Sequence, residues 1–210
     1  MSVVVENDYR YEEESPLSPR EYKGLSPDEL RAMIRDAGIV GMGGACFPAH
    51  IKLSPPPHCT IDRIIINGSE CEPYLTSDYR LMLEHSGEIA EGAKILLQIF
   101  PTAELILAIE DNKPTAIQKM SEAFKGIPKV SVVALETKYP QGGEKQLICA
   151  TTGREVPSGK LPADVGCVVS NICSVYEIRH AVVMGRSTLT RIVTVSGDAV
   201  ATVTILVKVD

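Results

Sequence analysis

Ile61-Asp62-Arg63-Ile64-Ile65-Ile66 runs straight into Asn67-Gly68-Ser69-Glu70-Cys71-Glu72-Pro73-Tyr74, and this junction decides the fold. The first six residues carry an apolar run without alternation, which predicts a strand covered on both faces. Its exit delivers one amide side chain and two carboxylates. In open parallel sheets ligands bind beyond the carboxyl ends of the strands, so Asn67, Glu70 and Glu72 become candidate contacts.

Upstream lies a glycine-rich loop, Gly38-Ile39-Val40-Gly41-Met42-Gly43-Gly44-Ala45-Cys46-Phe47-Pro48, followed by Lys52. Backbone amides without side chains in the way suit an anion such as a phosphate. A glycine cluster alone reads more readily as a plain loop. A helix precedes it: Ser26 caps, Pro27 fits the first turn, Glu29 completes a capping box, and Gly38 stops the run after Met33, Ile34 and Ala37. Because a helix comes first and the spacing is not G-x-G-x-x-G, the standard dinucleotide fingerprint fails on both counts.

Downstream the chain alternates. Ser77 to His85 reads as a short helix, and Ser86 caps another with Ile89, Ala93, Leu96, Leu97 and Phe100 on one face. Leu105–Ile109 is a second strand. Pro114 starts a helix with Ile117, Met120 and Phe124 inward, ended by Gly126. Val130–Leu135 is a third strand. This order argues a parallel sheet with crossover helices. A second glycine loop, Tyr139 to Glu144, follows the third strand and leads into a helix reaching about Thr151. Val168-Val169-Ser170-Asn171 leads into a helix carrying Val175, Ile178 and Val182. Two β runs, Arg191–Val195 and Val200–Val209, read as a hairpin. The domain division expected is 1–25 extended, 26–187 α/β, and 188–210 the start of a small β-rich module.

Net charge is −6, which argues against nucleic acid as a partner. No apolar run of about 18 residues is present, so no membrane-spanning helix is expected, and the polar opening predicts no signal peptide. Six cysteines show no C-x-x-C spacing, so no metal site is expected and the thiols read as reduced and cytosolic. His50, His58, His85 and His180 have no partners at catalytic or metal spacing.

Three loops could meet above one sheet edge: Gly41–Lys52, Asn67–Tyr74 and Tyr139–Glu144, with Asn171 a fourth contributor. Amides and Lys52 suit a phosphate; Asn67, Glu70 and Glu72 suit hydroxyls or the polar edge of a ring; Phe47 and Tyr139 suit stacking. These features describe a site for a phosphorylated heteroaromatic cofactor without saying which one.

The pattern G-x-G-G-A-x-F-P at Gly41–Pro48, then N-x-x-E-x-E-P at Asn67–Pro73, resembles the flavin- and NADH-binding domain shared by the flavoprotein subunit of respiratory complex I and the RnfC component of the Rnf electron-transport complex. Ile65 to Glu84 follow the Rnf-type wording, I-I-N-G-x-E-C-E-P-Y-L-T-x-D-Y-R-L-M-L-E. The resemblance covers roughly Glu6 to Asp198. It implies a Rossmann-like three-layer domain with a mainly parallel sheet, followed by an SLBB/β-grasp-like module. It implies FMN as cofactor, with Gly41, Gly43, Gly44 and Lys52 at the phosphate end. Asn67, Ser69, Glu70, Tyr139, Gly142 and Asn171 would line the flavin. Phe47, Glu72 and Glu144 fall where the family contacts NADH, the two glutamates in the catalytic role.

The sequence departs from the complex I branch at Met42, where that branch has arginine, at Cys46, where glycine is usual, and at Gly143, where it has a second glutamate. The cysteine runs that bind [4Fe–4S] clusters in full-length Rnf-type relatives are absent from this chain, which looks cut just after a preceding small β domain. The implied activity is hydride transfer from NADH to FMN within an NADH:acceptor (ferredoxin-type) oxidoreductase, held with partner subunits at the inner face of the cell membrane. A docking scaffold with a degraded cofactor site and a soluble electron-transfer partner of another reductase share the same domain.

Overall fold

Three consecutive isoleucines, Ile64, Ile65 and Ile66, must point to alternate faces of a strand, and all three are fully buried. The protein is described here from a computed structural model covering residues 4, 6, 9–10, 19–198 and 200–208. Most of the opening segment expected to be extended, residues 1–18 apart from 4, 6, 9 and 10, lies outside those residues.

The elements run in chain order as α1 (Pro27–Asp36), α2 (Ala49–Lys52), β1 (Arg63–Gly68), α3 (Ser77–Glu84), α4 (Ser86–Ile99), β2 (Glu104–Glu110) and α5 (Pro114–Ala123). They continue as β3 (Val130–Leu135), α6 (Glu144–Thr152), a 3-10 turn (Pro162–Val165), β4 (Cys167–Asn171), α7 (Ile172–Arg179), a π-helical turn (His180–Met184), β5 (Thr190–Gly197) and β6 (Val200–Lys208). The capping box forms as expected: the Ser26 hydroxyl accepts from the Glu29 amide at 3.3 Å, and the Glu29 carboxylate accepts from the Ser26 amide at 2.7 Å.

The four-stranded sheet has the order β3-β2-β1-β4 and every pairing is parallel. Ile64, Ile66, Leu105, Leu107 and Ile109 pack on one face against Ile89, Leu96, Met120 and Val175 of α4, α5 and α7 and against Phe124, which follows α5. Ile65, Ala108, Leu135, Cys167 and Val169 pack on the other face against Leu147 and Ile148 of α6. Helices therefore cover both faces, the three-layer arrangement expected from the continuous apolar strands. The chain steps outward from β1 to β3, then returns to place β4 on the far side of β1. The direction of winding reverses between β1 and β4, and their carboxyl ends frame a crevice there.

Three expectations need correction. Val168–Asn171 belongs to a strand, not merely a lead into a helix; pairing with Arg63–Asn67 supplies the hydrogen bonds that so short a run does not announce. Ser86 lies inside α4 and does not cap it; His85 precedes the helix without a side-chain cap bond. Val182 lies beyond α7, in the π-helical turn that Gly185 ends at φ 64°.

β5 and β6 pair with each other as a separate antiparallel ribbon, as the hairpin reading required. The Thr76 amide donates to Thr194 Oγ1 at 3.1 Å and ties the ribbon to the start of α3. Val195, Val203, Ile205 and Leu206 stand exposed on it. Among the described residues, no helix is long and apolar enough to cross a membrane.

Candidate functional site

Asn67 stands one residue before the end of β1 and Asn171 ends β4, and the two are register partners at the crevice. Asn67 Nδ2 donates to the Gly142 carbonyl at 2.9 Å, while its Oδ1 accepts from the Ser69 amide at 3.1 Å. The Gly142 amide donates to Cys71 Sγ at 3.3 Å. Asn171 Oδ1 accepts from the Cys173 amide at 2.8 Å, capping α7, and its Nδ2 donates to Asp78 Oδ2 at 2.7 Å. A Cβ on Gly43 would lie 3.5 Å from Asn171 Cβ, so the glycine loop passes directly over the end of β4. Lys52 Nζ donates to Glu144 Oε1 at 2.8 Å, joining that loop to the start of α6. The three loops named from the sequence, and Asn171, therefore converge on one crevice.

The glycine loop is held from its own backbone. The Gly41 amide donates to the Phe47 carbonyl at 2.8 Å and closes the turn. The Met42 amide donates to Ser174 Oγ at 2.8 Å, and Arg191 Nη2 donates to the Met42 carbonyl at 2.8 Å. The Met42 side chain is buried, so no cation projects from this position. Gly44 sits at φ 103°, a conformation open to glycine and strained for a side chain. Gly43 and Gly44 are exposed at the rim, and the rings of Phe47 and Tyr139 are 47% and 72% exposed, free to meet a planar partner.

The two motif glutamates separate. Glu72 is exposed. Glu70, at φ 47°, turns its carboxylate onto the start of α3: Oε1 accepts from the Asp78 amide at 2.7 Å and Oε2 from the Tyr79 amide at 3.0 Å. Ser77 Oγ adds a third bond at 3.2 Å. The first-turn amides of a helix need such an acceptor, so the backbone of α3 takes both oxygens expected to face a ligand. Burial pushes the Glu70 carboxyl up, against the pull of those bonds. Burial, and then the charge of Glu70, pushes Asp78 up to about 7.

Lys113, buried just past β2, was missed in the sequence. Its Nζ donates to the Ser69 carbonyl at 2.8 Å and the Glu70 carbonyl at 3.2 Å, with Glu110 Oε2 at 3.4 Å. It fixes the turn on which Ser69 and Glu70 sit. A lysine one loop beyond the carboxyl end of a core strand was the available signal. Ser174 and Arg191 carried no signal of their own, because their partners lie across the fold; Asp78 stands in the Rnf-type wording, but nothing there announces its bond to Asn171.

Ser69 Oγ is buried with no hydrogen-bond partner among the described residues. A Cβ on Gly142 would sit 3.4 Å from Cys71 Sγ and 3.5 Å from Asn67 Nδ2, so this glycine keeps the crevice wall thin. An unpaired hydroxyl, glycine-lined walls, exposed rings and one lysine fit a phosphorylated flavin in donor chemistry.

The family model described as the Nuo51 FMN-binding domain matches residues 34–180. The RnfC-type component of a proton-translocating ferredoxin:NAD(+) oxidoreductase complex from Clostridium ljungdahlii is 52% identical over 201 residues, covering 95% of this chain and 44% of that protein. Its counterpart in a Na(+)-translocating ferredoxin:NAD(+) oxidoreductase complex from Acetobacterium woodii is 41% identical over 201 residues, covering 95% and 45%. The chain thus spans less than half the length of these curated relatives. Among solved structures, an NAD+-reducing [NiFe]-hydrogenase in the air-oxidized state aligns with a TM-score of 0.68 at 22% identity, over 75% of this chain and 30% of that one. That likeness is one of fold.

Proposed function

The chain belongs to the Nuo51 FMN-binding domain family, and from that premise we propose that it is the flavin- and NADH-binding part of the RnfC component of an ion-translocating ferredoxin:NAD+ oxidoreductase complex. The observation that carries this reading is the junction of three loops and Asn171 at the β1–β4 crevice, closed by the bonds Asn67–Gly142 and Lys52–Glu144.

FMN, when bound, accepts hydride from NADH and releases electrons singly. The chain's own residues bind and orient. The amides at Gly43 and Gly44, on the turn that Gly41 closes, hold the phosphate end with Lys52. Asn67, Ser69, Tyr139, Gly142 and Asn171 line the ring and its chain of hydroxyls. Glu70 acts at one remove, holding α3 and Asp78 against Asn171. Phe47 and Glu72 stand exposed at the rim for the nicotinamide nucleotide, and Glu144 positions Lys52. Residues 26–187 form the cofactor domain, and 188–210 begin a β-rich module that docks on it through Arg191. The partners are the other subunits and a ferredoxin-type acceptor, and the place is the inner face of the cell membrane, peripheral to it. Iron–sulfur clusters are expected in full-length relatives.

Titration of the purified chain with FMN, read by flavin fluorescence, tests the reading. Saturable one-to-one quenching is expected, followed by anaerobic bleaching of the bound flavin on adding NADH. A folded chain that quenches no flavin sinks the proposal. It would favour the docking scaffold instead, to which the buried Met42 side chain already lends support.

A further inference from the structure

His58 and Cys59 follow the stiff Pro55-Pro56-Pro57 connection and lead into β1, while Asp164 belongs to the 3-10 turn that leads into β4. One ligand atom from each of the three lies within 4.8 Å of the others. Asp164 stands 105 positions beyond Cys59 (164 − 59), so no spacing rule could have joined them.

The frame beneath them is rigid. The Asp62 and Arg63 amides both donate to the Gly166 carbonyl, at 3.0 and 3.1 Å. Arg154 grips Asp62 with two parallel bonds, Nη1 to Oδ1 at 2.6 Å and Nη2 to Oδ2 at 2.7 Å. The same Nη1 donates to the Val165 carbonyl at 2.8 Å. The Cys59 amide closes a turn on the Pro56 carbonyl at 2.9 Å. Asp164 Oδ2 accepts from the Leu161 amide at 2.8 Å, and Lys160 reaches Oδ1 only at 3.9 Å.

We propose that His58, Cys59 and Asp164 form a divalent-metal site of the zinc class, joining the N-terminal ends of β1 and β4. A thiolate, an imidazole and a carboxylate select zinc over magnesium or calcium, which take oxygen ligands alone. Tetrahedral zinc with bonds of about 2.0–2.3 Å sets its ligand atoms about 3.3–3.5 Å apart. The three side chains need to close by roughly 1 Å, within the reach of exposed or half-buried rotamers, and water completes the shell. The two strands joined are those that frame the cofactor crevice at their other ends. Five residues of β4 place the site about 17 Å from Asn171. Its role is to staple the sheet, not to take part in hydride transfer.

The test is an alkylation footprint of the full chain with iodoacetamide, resolved by peptide mass spectrometry, with and without one equivalent of Zn2+. Zinc should slow labelling of Cys59 by about tenfold or more, leave the exposed Cys46 and Cys149 unchanged, and lose its effect on adding EDTA. Asp164→Asn or His58→Ala should raise the zinc needed for half-protection about tenfold or more. Co2+ should give a thiolate-to-cobalt charge-transfer band that Cys59→Ser removes and Cys149→Ser keeps. Equal labelling of unaltered Cys59 with and without zinc overturns the proposal, as does a cobalt band that survives Cys59→Ser. The footprint on the unaltered chain needs no variant to fold.

Discussion

Asn67 is the residue on which most of the crevice geometry turns. Its amide holds the Tyr139–Glu144 loop through the Gly142 carbonyl and holds the Ser69 turn through its oxygen. Asn67→Ala removes both bonds, a loss of about 1–3 kcal/mol in cradle geometry. The chain should stay folded while its FMN dissociation constant rises about tenfold in the fluorescence titration; an unchanged constant would show that the loop closes without this side chain. Asn67, Gly142 and Asn171 were legible in the sequence because each sits in a motif at the exit of a strand. The inward turn of Glu70 was not, since a carboxylate in a motif looks the same whether it faces a ligand or the first amides of α3.

At the level of elements, α4 and α7 show local and tertiary preference in conflict. Gly92 lies mid-helix, where alanine would be favoured by about 1 kcal/mol on propensity alone. A Cβ there would lie 2.3 Å from the Val175 carbonyl oxygen and 2.9 Å from Val175 Cγ1. The backbones of α4 and α7 approach through the space glycine leaves, so Gly92→Ala must push them apart. The expected result in urea unfolding is a loss of about 2 kcal/mol, overpacking outweighing propensity. A stabilised variant would mean that the two helices have room to separate. Most elements were legible from their caps and periods, as with the Ser26–Glu29 box. β4 was not, because five residues make a strand only where an unpaired edge of β1 awaits them.

Over the whole molecule, buried carboxyls couple the crevice to pH. Asp78 is raised from 3.8 to about 7, and Glu70 and Glu177 are raised in the same direction, each chiefly by burial. The folded chain thus binds protons that the unfolded chain releases between about pH 4 and 7, so stability is full at the acid end of that window and falls as pH rises through it. The thermal midpoint should drop from pH 5 to pH 8, and Asp78→Asn should flatten much of the slope, leaving the remainder to Glu70 and Glu177; a slope unaltered by the substitution would place the titration elsewhere. The sequence by itself determined the alternation of strands and helices, a first strand covered on both faces and the glycine-bearing loops, because periodicity, caps and glycine conformations act within a few residues. Only the tertiary structure decided that β4 lies beside β1, that Glu70 caps α3 while Lys113 holds the turn beneath it, and that His58, Cys59 and Asp164 meet. Those outcomes rest on contacts between segments distant in the chain, which exist only once the sheet has set its order.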